Sequence, residues 1–124
     1  MKNILYLKDS THVFTDYGIE IPLLNERVME VVDYYKLTSK TLNPIEIDDL
    51  KLAHDEQFIE ALENSPKDLV LKTYELQSSD GSYHRYNPKN ATYPLVELIR
   101  KARVHVAGTF YAAKKSLETS FYYH

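Results

Sequence analysis

The feature that most constrains this chain is an apolar stripe in its last third. From Pro94 onward, Leu95, Leu98, Ile99, Ala102, Val106, Phe110, Ala113 and Leu117 recur at helical spacing. A stripe sustained over about six turns predicts the longest helix of the chain, buried along one face. Ala102, Ala107, Gly108, Ala112 and Ala113 thin that helix, so the backbone of a sheet or a second helix should pack closely against it. The partner must come from the rest of a 124-residue chain in which 44% of residues are hydrophobic and 27% charged. That balance is globular and of a size for one core, so residues 1–124 are expected to form a single domain or the N-terminal fragment of a larger one.

The elements upstream of the stripe point to a sheet covered by helices. Asn3 to Leu7 is a short apolar run closed by Lys8-Asp9-Ser10 and predicts a buried first strand. Ser10 to Pro22 lacks helical periodicity and reads as a long loop. Leu23 to Leu37 predicts an amphipathic helix, with Val28, Val31, Val32 and Tyr35 on one face and Glu26, Arg27, Glu30, Asp33 and Lys36 opposite. Ile47-Asp48 opens a short helix that ends near His54, and Asp55-Glu56 caps the next one. Ser65-Pro66-Lys67-Asp68 reads as a third helix start, with proline at the first helical position and a helix over Asp68 to Leu76. Gln77 to Thr92 carries two turn clusters and no periodicity. Ser120 to Tyr123 then predicts a second strand, and a strand, helices, strand order implies a right-handed crossover between parallel strands. Parallel sheets are wider than two strands and covered on both faces, so the expected α/β arrangement reads as unfinished.

The segment Asp48-Asp49-Leu50-Lys51-Leu52-Ala53-His54-Asp55-Glu56-Gln57-Phe58-Ile59-Glu60-Ala61-Leu62 resembles a motif of the zinc-dependent histone deacetylase and acetylpolyamine amidohydrolase superfamily, which shares the arginase-deacetylase fold. An acidic pair, a histidine with an acidic follower, an aromatic, an isoleucine and a leucine fall in the family's order at Asp48, Asp49, His54, Asp55, Phe58, Ile59 and Leu62. Ile21-Pro22 to Arg27 is similar to the family's entry into its first long helix, with Ile19 and Glu20 where a histidine is usual. Glu97 to Leu117, with Ala107-Gly108-Thr109, is similar to the helix before the catalytic strand, and Ser120 to His124 to that strand.

The resemblance implies the N-terminal portion of an arginase/deacetylase-like three-layer α/β fold, mostly helical with about two short parallel strands. It implies that an intact member would hydrolyse acetyl-lysine or acetylpolyamine amides with zinc as its cofactor. The family's histidine pair and zinc ligands follow later than the residues of this chain. No catalytic residue and no metal ligand is therefore assigned here, His124 included, and the isolated chain is expected to be inactive and to lack its own zinc. The one site residue carried over is Asp80, the only acid in the Gln77 to Thr92 loop, as a substrate-binding carboxylate. The implied partner is a C-terminal catalytic segment. The alternative is a non-catalytic, self-associating binding or scaffold protein that forms a homo-oligomer through Tyr122, Tyr123 and the small-residue helix.

Other chemistries lack their residues. His12, His54, His84, His105 and His124 are never paired at helical metal-ligand spacing, and the chain has no cysteine. Gly18, Gly81 and Gly108 stand alone, which leaves no phosphate loop or dinucleotide fingerprint. His54 reads as the fixing residue of a helix junction, and Asp48-Asp49 and Asp55-Glu56 as first-turn acids that favour the helix dipole. The basic run Arg100-Lys101-Ala102-Arg103 with Lys114-Lys115 reads as a solvated helix face. A formal charge of −3 gives no drive toward nucleic acid. The N-terminal apolar run is too short for a signal peptide or membrane span, so a cytoplasmic protein is expected.

Overall fold

The computed structural model describes residues 4–22 and 26–118, and it divides the chain into two compact units. The first comprises Met1–His12, Leu24–Ile45 and Lys101–His124, and the second Val13–Leu23 and Glu46–Arg100. Among the described residues five α-helices follow one another: α1 (Glu26–Tyr35), α2 (Ile47–Leu50), α3 (Glu56–Asn64), α4 (Pro66–Thr73) and α5 (Glu97–Glu118). None of those described is long and apolar enough to cross a membrane.

The α/β three-layer expectation is overturned, because the described residues contain no strand. Isolated antiparallel bridges join Ile19 to Tyr86 and Gln77 to Tyr83, and Ile4 takes part in a further isolated bridge, but none of them extends into a strand. The run expected as a first strand makes single bonds in place of a ladder. The Tyr6 carbonyl accepts from the Lys40 N–H at 2.8 Å, and the Lys8 N–H donates to Ser39 Oγ at 3.0 Å. Lys8–Ser10 then turns as a 3₁₀ helix, which ends the extended stretch before a second strand bond can form. Burial of Leu5 and Leu7 comes from packing against Val104. A short apolar run satisfies a buried strand and a buried extended segment equally well, which is why periodicity alone misleads here. The expected second strand, Ser120 to Tyr123, lies outside the described residues.

In the second unit local signals and structure agree closely. Asp55 caps α3 with its carboxylate accepting from the Phe58 N–H at 2.8 Å, and α4 starts at Pro66, whose missing N–H costs nothing at that position. α4 stops at Thr73, short of the Leu76 limit read from sequence, because Glu75 enters the left-handed region at φ 54°. The Leu76 N–H then reaches back to the Leu71 carbonyl at 2.8 Å, the bond that closes a Schellman motif, and drops Leu76 fully into the core. That core joins Tyr17, Ile19, Val70, Leu71, Leu76, Leu95 and Leu98, with Phe14, Tyr74 and Tyr86 packed against it.

Gly18 sets the register of the same unit. It sits at φ 77°, and a Cβ there would lie 2.4 Å from the Asn87 carbonyl oxygen. Only glycine permits both the backbone conformation and the approach. Around it the Asn87 N–H donates to the Gly18 carbonyl and the Glu20 N–H to the Arg85 carbonyl, each at 2.8 Å. The Asp16 carbonyl accepts from both Thr92 and Tyr93.

The first unit has a smaller buried cluster, Leu5, Leu7 and Val104, supported by Leu42 and Tyr111. The Arg103 guanidinium donates to the Ile45 carbonyl, and the Ile45 N–H returns a bond to the Arg103 carbonyl. Lys40 Nζ donates to the Tyr111 hydroxyl at 2.6 Å, and Lys101 pairs with Asp9 at 3.3 Å. The apolar stripe of α5 does not stay buried as its spacing predicts. Leu98 lies in the second unit's core, whereas from Val104 onward the buried positions are Val104, Ala107, Gly108 and Ala112. Val104 and Ala107 lie on a different side of the helix from Leu98. Val106 and Phe110 are left partly exposed, and Leu117 is 91% exposed.

Candidate functional site

Three places gather groups with chemical potential: the turn at Asp80, the α2–α3 junction, and an apolar groove along α1.

Asp80 stands at the tip of a tight turn between Gln77 and Tyr83. The Ser78 N–H donates to the Ser82 carbonyl at 2.8 Å, the Gly81 N–H to the Ser78 carbonyl at 2.9 Å, and Gln77 Nε2 to the Gly81 carbonyl at 3.1 Å. The Asp80 carboxylate accepts from the Ser82 hydroxyl at 2.6 Å and the Ser82 N–H at 2.9 Å. The hydroxyl bond, followed by the backbone one, holds its carboxyl below the ordinary aspartate value. Asp80 is therefore an exposed, ionised acceptor in a fixed turn. Further along the same loop Tyr83 and Tyr86 lie edge to face with ring centroids 4.9 Å apart.

At the α2–α3 junction the His54 N–H donates to the Leu50 carbonyl at 3.0 Å, continuing a turn past the end of α2. The His54 ring stacks on Phe58, with centroids 4.4 Å apart and planes 23° apart. Glu56, Glu60 and Glu63 line one face of α3, and with Lys51, His54, Ile59 and Asn64 they border a recess of about 520 Å³. The recess is strongly acidic and open.

The third place is one that sequence periodicity missed. α1 was expected to bury Val28, Val31, Val32 and Tyr35, but only Val32 is buried. Val28, Val31 and Val32 line a groove of about 340 Å³ together with Ile4, Leu5, Tyr6, Leu37 and Arg27. Beside it Tyr34 is 79% exposed and packs edge-on against Tyr35 at 4.8 Å. No sequence signal marks the groove: it depends on Lys36, which takes φ 52° and lets the Leu37 N–H close onto the Val32 carbonyl at 2.9 Å. That closure folds Leu37 back along α1.

The zinc implied by the resemblance finds no fit in these residues. Among the described residues no three His, Cys, Asp or Glu side chains stand together as metal ligands would. His124 lies outside the described residues. No chemical step through a metal is derived for this chain. Comparison with known proteins adds no relative: no family model matches the chain, and neither a curated protein nor a solved structure is significantly similar to it.

Proposed function

We propose that this chain is the N-terminal segment of a zinc-dependent deacetylase-like hydrolase acting on acetyl-lysine or acetylpolyamine amides, supplying scaffold and rim but no reacting group. The α2–α3 junction carries this reading. The residues of the resembling motif are spread over α2, α3 and the junction between them. Asp48 and Asp49 lie in the first turn of α2, His54 stacks on Phe58, Asp55 caps α3, and Ile59 and Leu62 are buried. In this reading Asp80, ionised and exposed, is the rim acceptor for a substrate backbone N–H.

The reading frame beyond the His124 codon tests the proposal. A glycine-rich turn followed by adjacent histidines supports it, and a stop codon at that point overturns it. The isolated chain should release no acetate from an acetyl-lysine peptide or an acetylated polyamine. Release that rises with one equivalent of added zinc would refute the non-catalytic part.

A second reading, a non-catalytic binding protein that self-associates, is favoured by the exposure of Val28, Val31, Tyr34 and Tyr35 on α1. The residues first assigned to that role, Tyr122 and Tyr123, lie outside the described residues. A sedimentation mass that rises with concentration supports this reading, and a constant monomer mass removes it.

A further inference from the structure

We infer that Asp80-Gly81 is a site of spontaneous isoaspartate formation, and that the two bonds from Ser82 to the Asp80 carboxylate restrain its rate. The inference stands apart from both functional readings.

The chemistry needs only the chain and water. The Gly81 backbone nitrogen attacks Cγ of the protonated Asp80 side chain. A bond forms between that nitrogen and Cγ, a carboxyl oxygen leaves as water with the acid proton and the amide proton, and a succinimide ring remains. Water then opens the ring at either carbonyl. Opening at Cγ restores aspartate. Opening at the main-chain carbonyl routes the backbone through Cβ and Cγ, which adds a methylene to the chain and leaves its mass unchanged.

Ring closure requires a following residue whose side chain does not crowd the attacking nitrogen. Among the aspartates and asparagines of the chain, only Asp80 precedes a glycine. Gly81 sits at φ 86° with nothing within 4 Å of where a Cβ would stand, and residues 77–82 all face solvent. Its N–H is engaged by the Ser78 carbonyl at 2.9 Å, but a turn so exposed can open without uncovering a buried apolar side chain. Serine, a less permissive follower, comes after Asp9 and Asn64. Asp9 is paired with Lys101 at 3.3 Å, and the Ser65 N–H is tied to the Ala61 carbonyl at 2.9 Å at the end of α3.

Ser82 opposes the reaction from the other side. Oδ1 of Asp80 accepts from the Ser82 hydroxyl at 2.6 Å and from the Ser82 N–H at 2.9 Å, so the carboxyl group is held toward the residue beyond Gly81. These bonds, the hydroxyl one first, also keep the carboxyl below its ordinary value, and only the protonated acid loses water readily. Breaking the hydroxyl bond therefore frees the group to rotate and raises the reactive fraction, two effects of the same sign.

The full-length chain is incubated at a fixed, mildly acidic pH and digested with trypsin. Cleavage after Lys72 and Arg85 releases residues 73–85, in which Asp80 is the sole aspartate and no asparagine occurs. Chromatography with fragmentation that distinguishes the two linkages then counts isoaspartate at position 80. The wild-type chain should convert there more slowly than a synthetic peptide of residues 73–85. Ser82→Ala in the full chain should convert about fivefold faster than wild type, the worth of one hydrogen bond. Ser79→Ala, which removes a hydroxyl from the same turn but no bond to Asp80, should follow the wild type. An unchanged circular dichroism spectrum confirms that each variant folds.

Conversion at position 80 in that order of rates supports the inference. Absence of isoaspartate at position 80 from both wild type and Ser82→Ala, when the free peptide is half converted, overturns the site. Conversion in Ser82→Ala no faster than in Ser79→Ala overturns the restraint by Ser82.

Discussion

The second unit places most of its large apolar side chains inside. Tyr17, Ile19, Val70, Leu71, Leu76, Leu95 and Leu98 form one cluster, and few large apolar residues of the unit face solvent. Among the described residues of the first unit, Leu5, Leu7 and Val104 form a smaller cluster, while Val28, Val31, Tyr34, Tyr35, Val106, Phe110 and Leu117 are exposed. Burial of apolar area is the dominant favourable term in folding, so stability should be concentrated in the second unit. Exposed apolar faces on helices are what association uses, so interaction should be concentrated in the first. Both proposed readings draw on that division. A front segment of a larger hydrolase and a self-pairing scaffold each need apolar surface still to be covered.

The sharpest test of the second unit is Gly18→Ala. The new Cβ meets a backbone carbonyl at 2.4 Å, and φ 77° strains any residue with a side chain. The expected cost is about 4 kcal/mol, the largest of any single change considered, read by urea denaturation. Cores of unequal size should also respond unequally. Leu76→Ala, at a fully buried position, should cost about 3 to 4 kcal/mol, and Leu7→Ala, under the smaller cluster, about 2 to 3 kcal/mol. Equal losses at the two sites would break the comparison.

A milder change acts on both units alike and calibrates them. Lys36 and Glu75 occupy the left-handed region at φ 52° and 54°, where a Cβ is unfavourable and glycine is the usual occupant. Lys36→Gly and Glu75→Gly should each stabilise by about 0.5 to 1 kcal/mol, after allowance for the greater freedom of glycine in the unfolded chain. Hydrogen exchange of the Leu37 and Leu76 amides, whose bonds close the two motifs, reports each gain separately. Faster exchange of either amide in its variant would contradict this account of the helix ends.

Much of the second unit was legible in the sequence because its signals are local. Asp55 is followed three residues later by the N–H it caps, and Ser65-Pro66 marks a helix start by its own stereochemistry. Clusters of Ser, Asp, Gly and Asn between Ser78 and Asn90 announced turns, and Asp80 indeed organises one with Ser82. The failures come where local pattern leaves the partner undecided. Asn3 to Leu7 is apolar whether or not a strand lies beside it, and what distinguishes the outcome is a few single bonds to a distant segment, such as Lys40 to Tyr6 and Lys8 to Ser39. The stripe of α5 has a helical period throughout, but period does not say which stretch each packing partner covers. Leu98 is held by one cluster and Val104 by another, so one continuous stripe cannot satisfy both. The α1 groove depended on Lys36 adopting a conformation that nothing in a lysine advertises. For the candidate site, Asp80 was nameable from sequence because it is the only acid of its loop. The stacking of His54 on Phe58 required the folded turn.

The smallest effect concerns alkaline pH and again separates the units. Burial holds the Tyr74 phenol above its ordinary value of 10.0, and Tyr17 shifts the same way through burial first and then the nearby Glu97 charge, against the opposing pull of Arg100. Both belong to or pack against the second unit's core. The unfolded chain releases these protons near the ordinary phenol value, whereas the folded chain retains them to higher pH. Stability from this source is complete below about pH 10 and is lost as pH rises through the folded-state values. Tyr74→Phe keeps the ring that meets Phe14 edge-on at 5.5 Å and removes the titrating group. The variant should match the wild type within about 0.5 kcal/mol at pH 7 and fall less steeply above pH 10, the remaining slope including that of Tyr17. Unfolding midpoints taken between pH 8 and 11 make the comparison. An unchanged slope would mean that Tyr74 reaches water in the folded chain and that the second unit's core is looser at this edge than its packing implies.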